Sequence, residues 1–257
     1  MNRFSWAARI ARAESLSASL PESSEVLNFY AVILRFQGRI AESLPNATDA
    51  QPKELNTAFL FQYAPDLVRL VRQHGPREMA DAARRLPADG DRWSQLLAHH
   101  WNNPCAFAPP DEAFFARTLL QPYAEALAVR ADRSGAHTPH LCPFCGARPA
   151  VAVLRGEGDG AKRSLLCSLC ATEWEYRRLL CPACGEESKD NLPVFLAEDF
   201  GHVRIEACDA CQRYLKAVDL TRSGHAVPVV DELAALALDV WAEENGYTKV
   251  QLNLLGM

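Results

Sequence analysis

Residues 141–174, LCPFCGARPAVAVLRGEGDGAKRSLLCSLCATEW, hold two Cys-x-x-Cys pairs, Cys142/Cys145 and Cys167/Cys170, with 21 residues between them. Two cysteines separated by two residues can both face one metal ion across a tight turn. A glycine after the second cysteine, here Gly146, accepts the strained backbone that aims N–H groups at the sulfurs. Between the pairs, AVAVLR and RSLL flank the turn-forming GEGDG and read as the two legs of a β-hairpin. Folding that hairpin brings the second pair beside the first and completes a tetrahedral set of four sulfurs. The spacing is the length of a folded hairpin.

The pattern then repeats. Cys181/Cys184 in CPACG and Cys208/Cys211 in CDAC are 23 residues apart and enclose the β-rich runs LPVFLAE and HVRIEA around EDFG. Eight residues, Cys142, Cys145, Cys167, Cys170, Cys181, Cys184, Cys208 and Cys211, are therefore expected to ligate two metal ions, each held by consecutive pairs. A cross-braced pairing of the first pair with the third is the alternative. Its usual signs are a mixed Cys/His set and interleaved short loops, whereas here only His140 lies near a ligand position. Iron and zinc both accept four thiolates, and CPxCG suits either metal. Ala171 and Gln212 stand where the second pairs would carry glycine, so those halves are less ideal.

The other cysteine chemistries fit less well. A glutaredoxin-like dithiol enzyme carries one CPxC at a strand-to-helix junction of a βαβ unit, and no such unit is read here. Disulfides suit a secreted chain. The N-terminal MNRFSWAARIARAESLSASL has scattered arginines but no continuous apolar segment and no small-x-small cleavage site, so cytoplasm is the expected compartment. The longest apolar runs, YAVIL and LAALAL, fall far short of the roughly 20 residues of a membrane span. The ninth cysteine, Cys105 in NNPCAF, reads as a small buried residue.

Upstream of the cysteines the period is helical. In PESSEVLNFYAVILRFQGRIAESLP, Val26, Tyr30, Ile33, Ala41 and Leu44 follow helical spacing and Pro45 closes the run. PKELNTAFLFQYA, PDLVRLVRQHG, PREMADAARRL and DRWSQLLAHHW read as short helices, each opened by Pro or Asp. PPDEAFFARTLLQPYAEALAVRADR reads as a pair, with Pro122 either kinking the helix or starting a new one. After RSGAHTPH (133–140) the period changes to that of strands, EWEYRRLL and RYLKAVDL included. A last helix is predicted in VVDELAALALDVWAEENGY, with Leu233, Leu236, Ala237, Val240 and Trp241 on its apolar face, Asp231 and Glu232 at its N-terminal end and Asn245-Gly246 as its stop. The fold class is α+β: a helical domain over 1–133, four-cysteine ribbon modules of rubredoxin or zinc-ribbon type over 134–177 and 178–222, and a C-terminal helix and tail over 223–257.

Charge bears on function. Residues 1–141 and 142–222 are close to balanced, and 223–257 set Lys249 alone against five acids, so the net charge of −5 resides mainly in the tail. A zinc-ribbon nucleic-acid binder needs a cationic surface, because phosphate neutralisation supplies most of its affinity. Four thiolates around a divalent ion add −2 per site and make the ribbon region more negative still. No catalytic set is evident: His99 and His100 are adjacent on a helix and diverge, and Asp111/Glu112 and Glu186/Glu187 read as helix starts or solvated loops. A protein-interaction platform stapled by metal is the better reading, with the cleft near Trp101 and Trp174 as the expected partner surface.

The series CPFCG…LLCSLCATEWEYRRLLCPACG…IEACDACQRYLKAVDL, followed by PVVDELAALALDVWAEENGY, resembles the FdhE family of formate dehydrogenase accessory proteins. CSLCATEW and the CxxCxxYLK stretch are its most specific parts, and the resemblance covers about residues 101–250. It implies a cytoplasmic, non-enzymatic maturation factor or chaperone with rubredoxin-like iron sites. Its implied partner is the catalytic subunit of a respiratory formate dehydrogenase, bound before export. The eight paired cysteines carry over as ligands and no residue carries over as catalytic.

Overall fold

The computed structural model describes residues 5–44, 57–86, 89–106, 109–129, 138–158 and 160–257. The Pro45 helix stop and residues 133–137 of the expected boundary lie outside them. Helix α1 (Trp6–Ser19) starts at Ser5, whose hydroxyl accepts from the Ala8 amide at 3.3 Å. The stretch lies in the helical domain expected over 1–133, although no helix is read from its own pattern. It is an integral helix, burying Arg9, Ala13 and Leu16. Helix α2 (Ser24–Ser43) buries Leu27, Tyr30, Ile33, Leu34 and Ile40 at helical spacing. Four shorter helices follow, α3 (Thr57–Phe61), α4 (Ala64–His74), α5 (Arg77–Arg85) and α6 (Gly90–Asn102).

Helix α7 (Pro110–Ala128) is one continuous helix with Pro122 inside it, not a pair. Proline removes the N–H that would bond the carbonyl four residues back. That carbonyl, Thr118 O, instead accepts from Nε2 of the buried Gln37 on α2 at 3.1 Å, so the break in the ladder becomes a helix–helix contact.

The strands β1 (Pro149–Glu157), β2 (Gly160–Cys167), β3 (Glu173–Glu175), β4 (Val194–Leu196), β5 (Val203–Cys208), β6 (Arg213–Asp219) and β7 (Thr248–Lys249) form one sheet. Its order is β3-β2-β1-β6-β5-β4, with β7 on the part of β6 that β1 leaves free. The two expected hairpins, β1–β2 and β4–β5, are antiparallel, and β6 adds antiparallel to β5. They are also fused edge to edge, because β1 pairs with β6 in parallel at Ala152–Ala217, Val153–Val218 and Leu154–Asp219. Side-chain alternation splits the sheet between two cores. Ala152, Leu154, Leu165 and Leu215 join the helical layer, while Val151, Val153, Ile205 and Val218 face the opposite side. Burial on both faces explains the uninterrupted apolar AVAV run.

The expected last helix is two, α8 (Pro228–Ala234) and α9 (Leu236–Glu244), broken at Ala235. The break lets them serve different cores: Val230 and Leu233 pack with the helical layer, Leu238 and Ala242 with the opposite one. Of the face read from sequence, Ala237 and Val240 are exposed. The carbonyls freed at the break are satisfied: Ala234 O accepts from Ser23 Oγ, and Glu232 O and Ala235 O accept from Lys216 Nζ.

Asp231 and Glu232 are not solvated helix-start acids, being 1% and 2% exposed. Lys216 Nζ lies 3.0 Å from Glu232 and 2.6 Å from Asp239, and Lys249 Nζ lies 2.5 Å and 3.0 Å from the same two carboxylates. Burial alone would raise Glu232, but Lys216 and Lys249 outweigh it and hold its pKa below the ordinary value. Asp231 accepts from Arg12 and from His202 Nε2. Three of the tail's five acids are thus neutralised inside the protein, leaving Glu243 and Glu244 exposed.

Candidate metal centres

The cysteines sit where hairpin legs meet tight turns. At the first turn the Cys142 amide donates to Ala147 O at 2.9 Å and the Gly146 amide to Cys142 O at 3.0 Å. The third pair repeats this, Cys181 to Glu186 O at 2.8 Å and Gly185 to Cys181 O at 3.1 Å. Gly146 and Gly185 have φ of 73° and 82°, the left-handed region that glycine enters without strain. Ala171 and Gln212 occupy the same region at 51° and 54°, so the turn is completed there at a steric cost.

The structure groups Cys142, Cys145, Cys167 and Cys170, and separately Cys181, Cys184, Cys208 and Cys211, with the sulfurs of each group within 4.8 Å of one another. Consecutive pairs therefore come together, and the cross-braced alternative does not occur. In the first group Cys142–Cys170, Cys145–Cys167 and Cys145–Cys170 are 3.5, 3.4 and 3.5 Å apart. In the second, Cys181–Cys211 and Cys184–Cys208 are 3.8 and 3.7 Å apart. A tetrahedron with metal–sulfur bonds of 2.3 Å has edges of about 3.8 Å, so both cages could hold iron or zinc. Backbone amides support the thiolates: Leu169 N and Cys170 N point at Cys167 Sγ, and Ala183 N at Cys181 Sγ.

The two cages differ in surroundings. Cys142, Cys167 and Cys170 are no more than 3% exposed, whereas Cys184 is exposed and Cys211 half-buried. Arg117 of α7 reaches the first cage and donates to the carbonyls of Ser168, Leu252 and Asn253. It has no carboxylate partner among the described residues. Burial pulls its pKa down to about 10, against the charge on Cys167 that favours the cation. Cys105 also packs here, its Sγ 3.2 Å from Gly146 O.

Two links join the cages. Tyr176 OH lies 2.5 Å from His140 Nδ1, just ahead of the first cage, and donates to the Cys181 carbonyl of the second at 3.2 Å. Arg163 of β2 pairs with Glu206 of β5 at 2.8 Å, only 3% exposed. Burial would raise Glu206, but Arg163 and Arg204 hold its pKa below the ordinary value. Sequence reasoning missed Arg117, Arg163 and Glu206, because partners far apart in the chain leave no local pattern.

Among the described residues, the remaining candidates gather no further site. His100 is buried, and burial, then His99 and Arg117, push its pKa down to about 4, which keeps it neutral. Trp174 is 8% exposed and donates to Pro139 O, so, contrary to the expectation of an open cleft here, it closes the core. Trp101 meets Tyr123 edge-on at 6.0 Å. No described helix is long and apolar enough to cross a membrane.

Comparison with known proteins gives a consistent result. The family model for the FdhE central domain matches residues 141–178 and that for the FdhE C-terminal domain matches 179–255. A protein FdhE homolog from Aquifex aeolicus is 29% identical over 94% of this chain and 92% of its own length. One from Pseudomonas aeruginosa is 43% identical over 45% of this chain and 39% of its own, and one from Haemophilus influenzae is 32% identical over 62% and 53%. The chain thus spans about half or less of these last two. The crystal structure of the FdhE protein from Pseudomonas aeruginosa superposes with a TM-score of 0.72 at 26% identity, covering 99% of this chain and 96% of that one.

Proposed function

The chain belongs to the FdhE family, and from that premise we propose that it is a metal-binding accessory protein that holds the catalytic subunit of a respiratory formate dehydrogenase during its maturation, in the cytoplasm and before export. The observation that carries this reading is the convergence of eight cysteines into two closed four-sulfur cages. A cage that uses all four positions for protein ligands leaves none for substrate, which suits a structural or electron-transfer site better than a catalytic one. We assign the eight cysteines as ligands of iron or zinc. Iron in these cages would add one-electron chemistry, and zinc none.

The chain's own groups do the rest. Backbone amides offset the negative cages, Arg117 adds to this at the first, and the fused sheet and the Lys216–Glu232–Asp239–Lys249 cluster keep the platform rigid. Elemental analysis of anaerobically purified protein should give two metal ions per chain, and fewer than one would overturn the assignment. Purified catalytic subunit should bind the protein, and deleting the gene should lower formate dehydrogenase activity. Full activity in the deletion strain, with no binding of the subunit, would defeat the accessory role.

A further inference from the structure

The second hairpin leaves one face partly open. Beneath it lies a cavity of ≈150 Å³, bounded on one side by 178–182, the link between the cages, and on the other by Pro193 and Val194 at the start of β4. Buried Leu215 and Val250 line it, as do Cys181 and Cys208 of the second cage. Its lips are apolar and wet: Leu179 is 48% exposed and Val194 50%, and Leu196, two residues along the same strand face, is 64% exposed. The intervening Phe195 turns the other way, onto Trp241 at 4.6 Å. Exposed large apolar side chains in a row beside a groove mark an interaction site more than ordinary surface.

The charge is one-sided. Arg163, Arg178, Arg204 and Arg213 line the groove against one carboxylate, Glu206, which Arg163 and Arg204 already engage. Arg178 and Arg213 are exposed and have no acidic partner among the described residues. The balance stays positive even when a divalent ion leaves the second cage at −2. β4 is also an edge strand of the sheet, so its outer backbone groups can take a further strand.

We propose that this groove docks an extended segment of the partner protein carrying acidic side chains beside apolar ones: the apolar groups cover Leu179, Val194 and Leu196, the carboxylates meet Arg178 and Arg213, and the backbone adds to the β4 edge. The assignment rests on the partner-binding reading above. A nucleic-acid strand is the poorer occupant, since it would meet two free cations and three exposed aliphatic side chains, where phosphate binding draws on about 6–10 contacts.

The test measures affinity of the full-length, metal-loaded protein for purified formate dehydrogenase catalytic subunit. Arg178→Glu/Arg213→Glu and, separately, Leu179→Ser/Val194→Ser should each weaken binding at least about tenfold, which is about 1.4 kcal/mol. Both should keep two metal ions per chain, and Arg178→Lys/Arg213→Lys should largely restore affinity. Unchanged affinity in both variants, with wild type binding, overturns the groove and leaves the accessory reading standing. No binding by wild type defeats that reading and removes the groove's occupant with it. Salt-sensitive binding of single-stranded RNA, lost in the arginine variant, would instead make the groove a nucleic-acid surface and overturn a protein occupant.

Discussion

The two four-cysteine cages share one local grammar and live in different places. Each is a Cys-x-x-Cys-Gly turn, a hairpin and a second Cys-x-x-Cys whose following residue is forced into the left-handed region. The first is walled in by the helical layer, with Arg117 and Cys105 against it, while the second presents Cys184 to solvent beside an open groove. Local sequence builds the cage, and tertiary placement decides what its loss does. The first cage clasps helices to sheet; the second stiffens a surface.

The strongest way to break this comparison is to empty the cages one at a time. Cys142→Ser/Cys167→Ser and Cys181→Ser/Cys208→Ser should each remove one metal ion and leave the other. A structural site contributes on the order of 10 kcal/mol, comparable to the whole stability of a domain. Losing it in the first cage should therefore loosen the helical layer from the first hairpin, read as loss of near-ultraviolet circular dichroism from buried Trp93 and Trp174. Losing it in the second should loosen residues 178–212 and leave that signal. Equal collapse in both variants would mean that burial does not separate the two roles.

A smaller effect tests the bridge between the hairpins. Glu206→Gln leaves Arg163 buried without its anion, a loss of about 3–5 kcal/mol when one partner of a buried pair is removed. Because the folded-state pKa of Glu206 is depressed, its contribution is fully present above the unfolded value of about 4.3 and is lost as pH falls through the folded one. The difference in unfolding free energy between wild type and variant should therefore shrink as pH falls below that value. A difference independent of pH would show that the carboxylate's charge is not what holds the hairpins together.

Release kinetics should separate the cages more gently. Challenged with a strong chelator, one ion should leave at least about tenfold faster than the other, a difference of about 1.4 kcal/mol in barrier. Cys184 should be the first cysteine alkylated, being the exposed member of the two cages. Release in one phase, or labelling that starts at Cys142, would contradict the assignment of the second cage as the accessible one.

How much of this was legible beforehand follows from range. Spacing of two residues and hairpin-length gaps are local, so all eight cysteines and their grouping could be read directly. Helical periodicity placed α2 to α7, but Pro122 left a choice that the contact from Gln37, 81 positions away from Thr118, resolves. The charge count of the tail cannot see burial: Asp231, Glu232 and Asp239 add to its negative sum, yet Arg12, Lys216 and Lys249 stand opposite them inside the protein. Yet two of the stretches that carried the family resemblance, YLK at 214–216 and DE at 231–232, contain Lys216, Asp231 and Glu232, all members of that buried network. The parallel β1–β6 seam had no signal, since neither strand's own pattern names its neighbour.

The smallest predicted effect is the most local. Gln212 and Ala171 hold left-handed backbone at a cost of about 1–2 kcal/mol that glycine would remove. Glycine in turn gives the unfolded chain back about 0.4–1 kcal/mol of entropy, so relief alone nets well under the full strain. At Gln212 the only further loss is an exposed hydrogen bond from Nε2 to Asp209 O, worth about 0.5 kcal/mol at most in that setting. At Ala171 the methyl is half-buried against the outer core, and deleting a buried methyl costs about 0.8 kcal/mol. Gln212→Gly should therefore stabilise the metal-loaded protein by about 0.5 kcal/mol, read from the denaturant midpoint, and Ala171→Gly should leave it unchanged within error. If Ala171→Gly stabilises more than Gln212→Gly, packing around the first cage is looser than its burial indicates, and the contrast between a clasped cage and a presented one loses its footing.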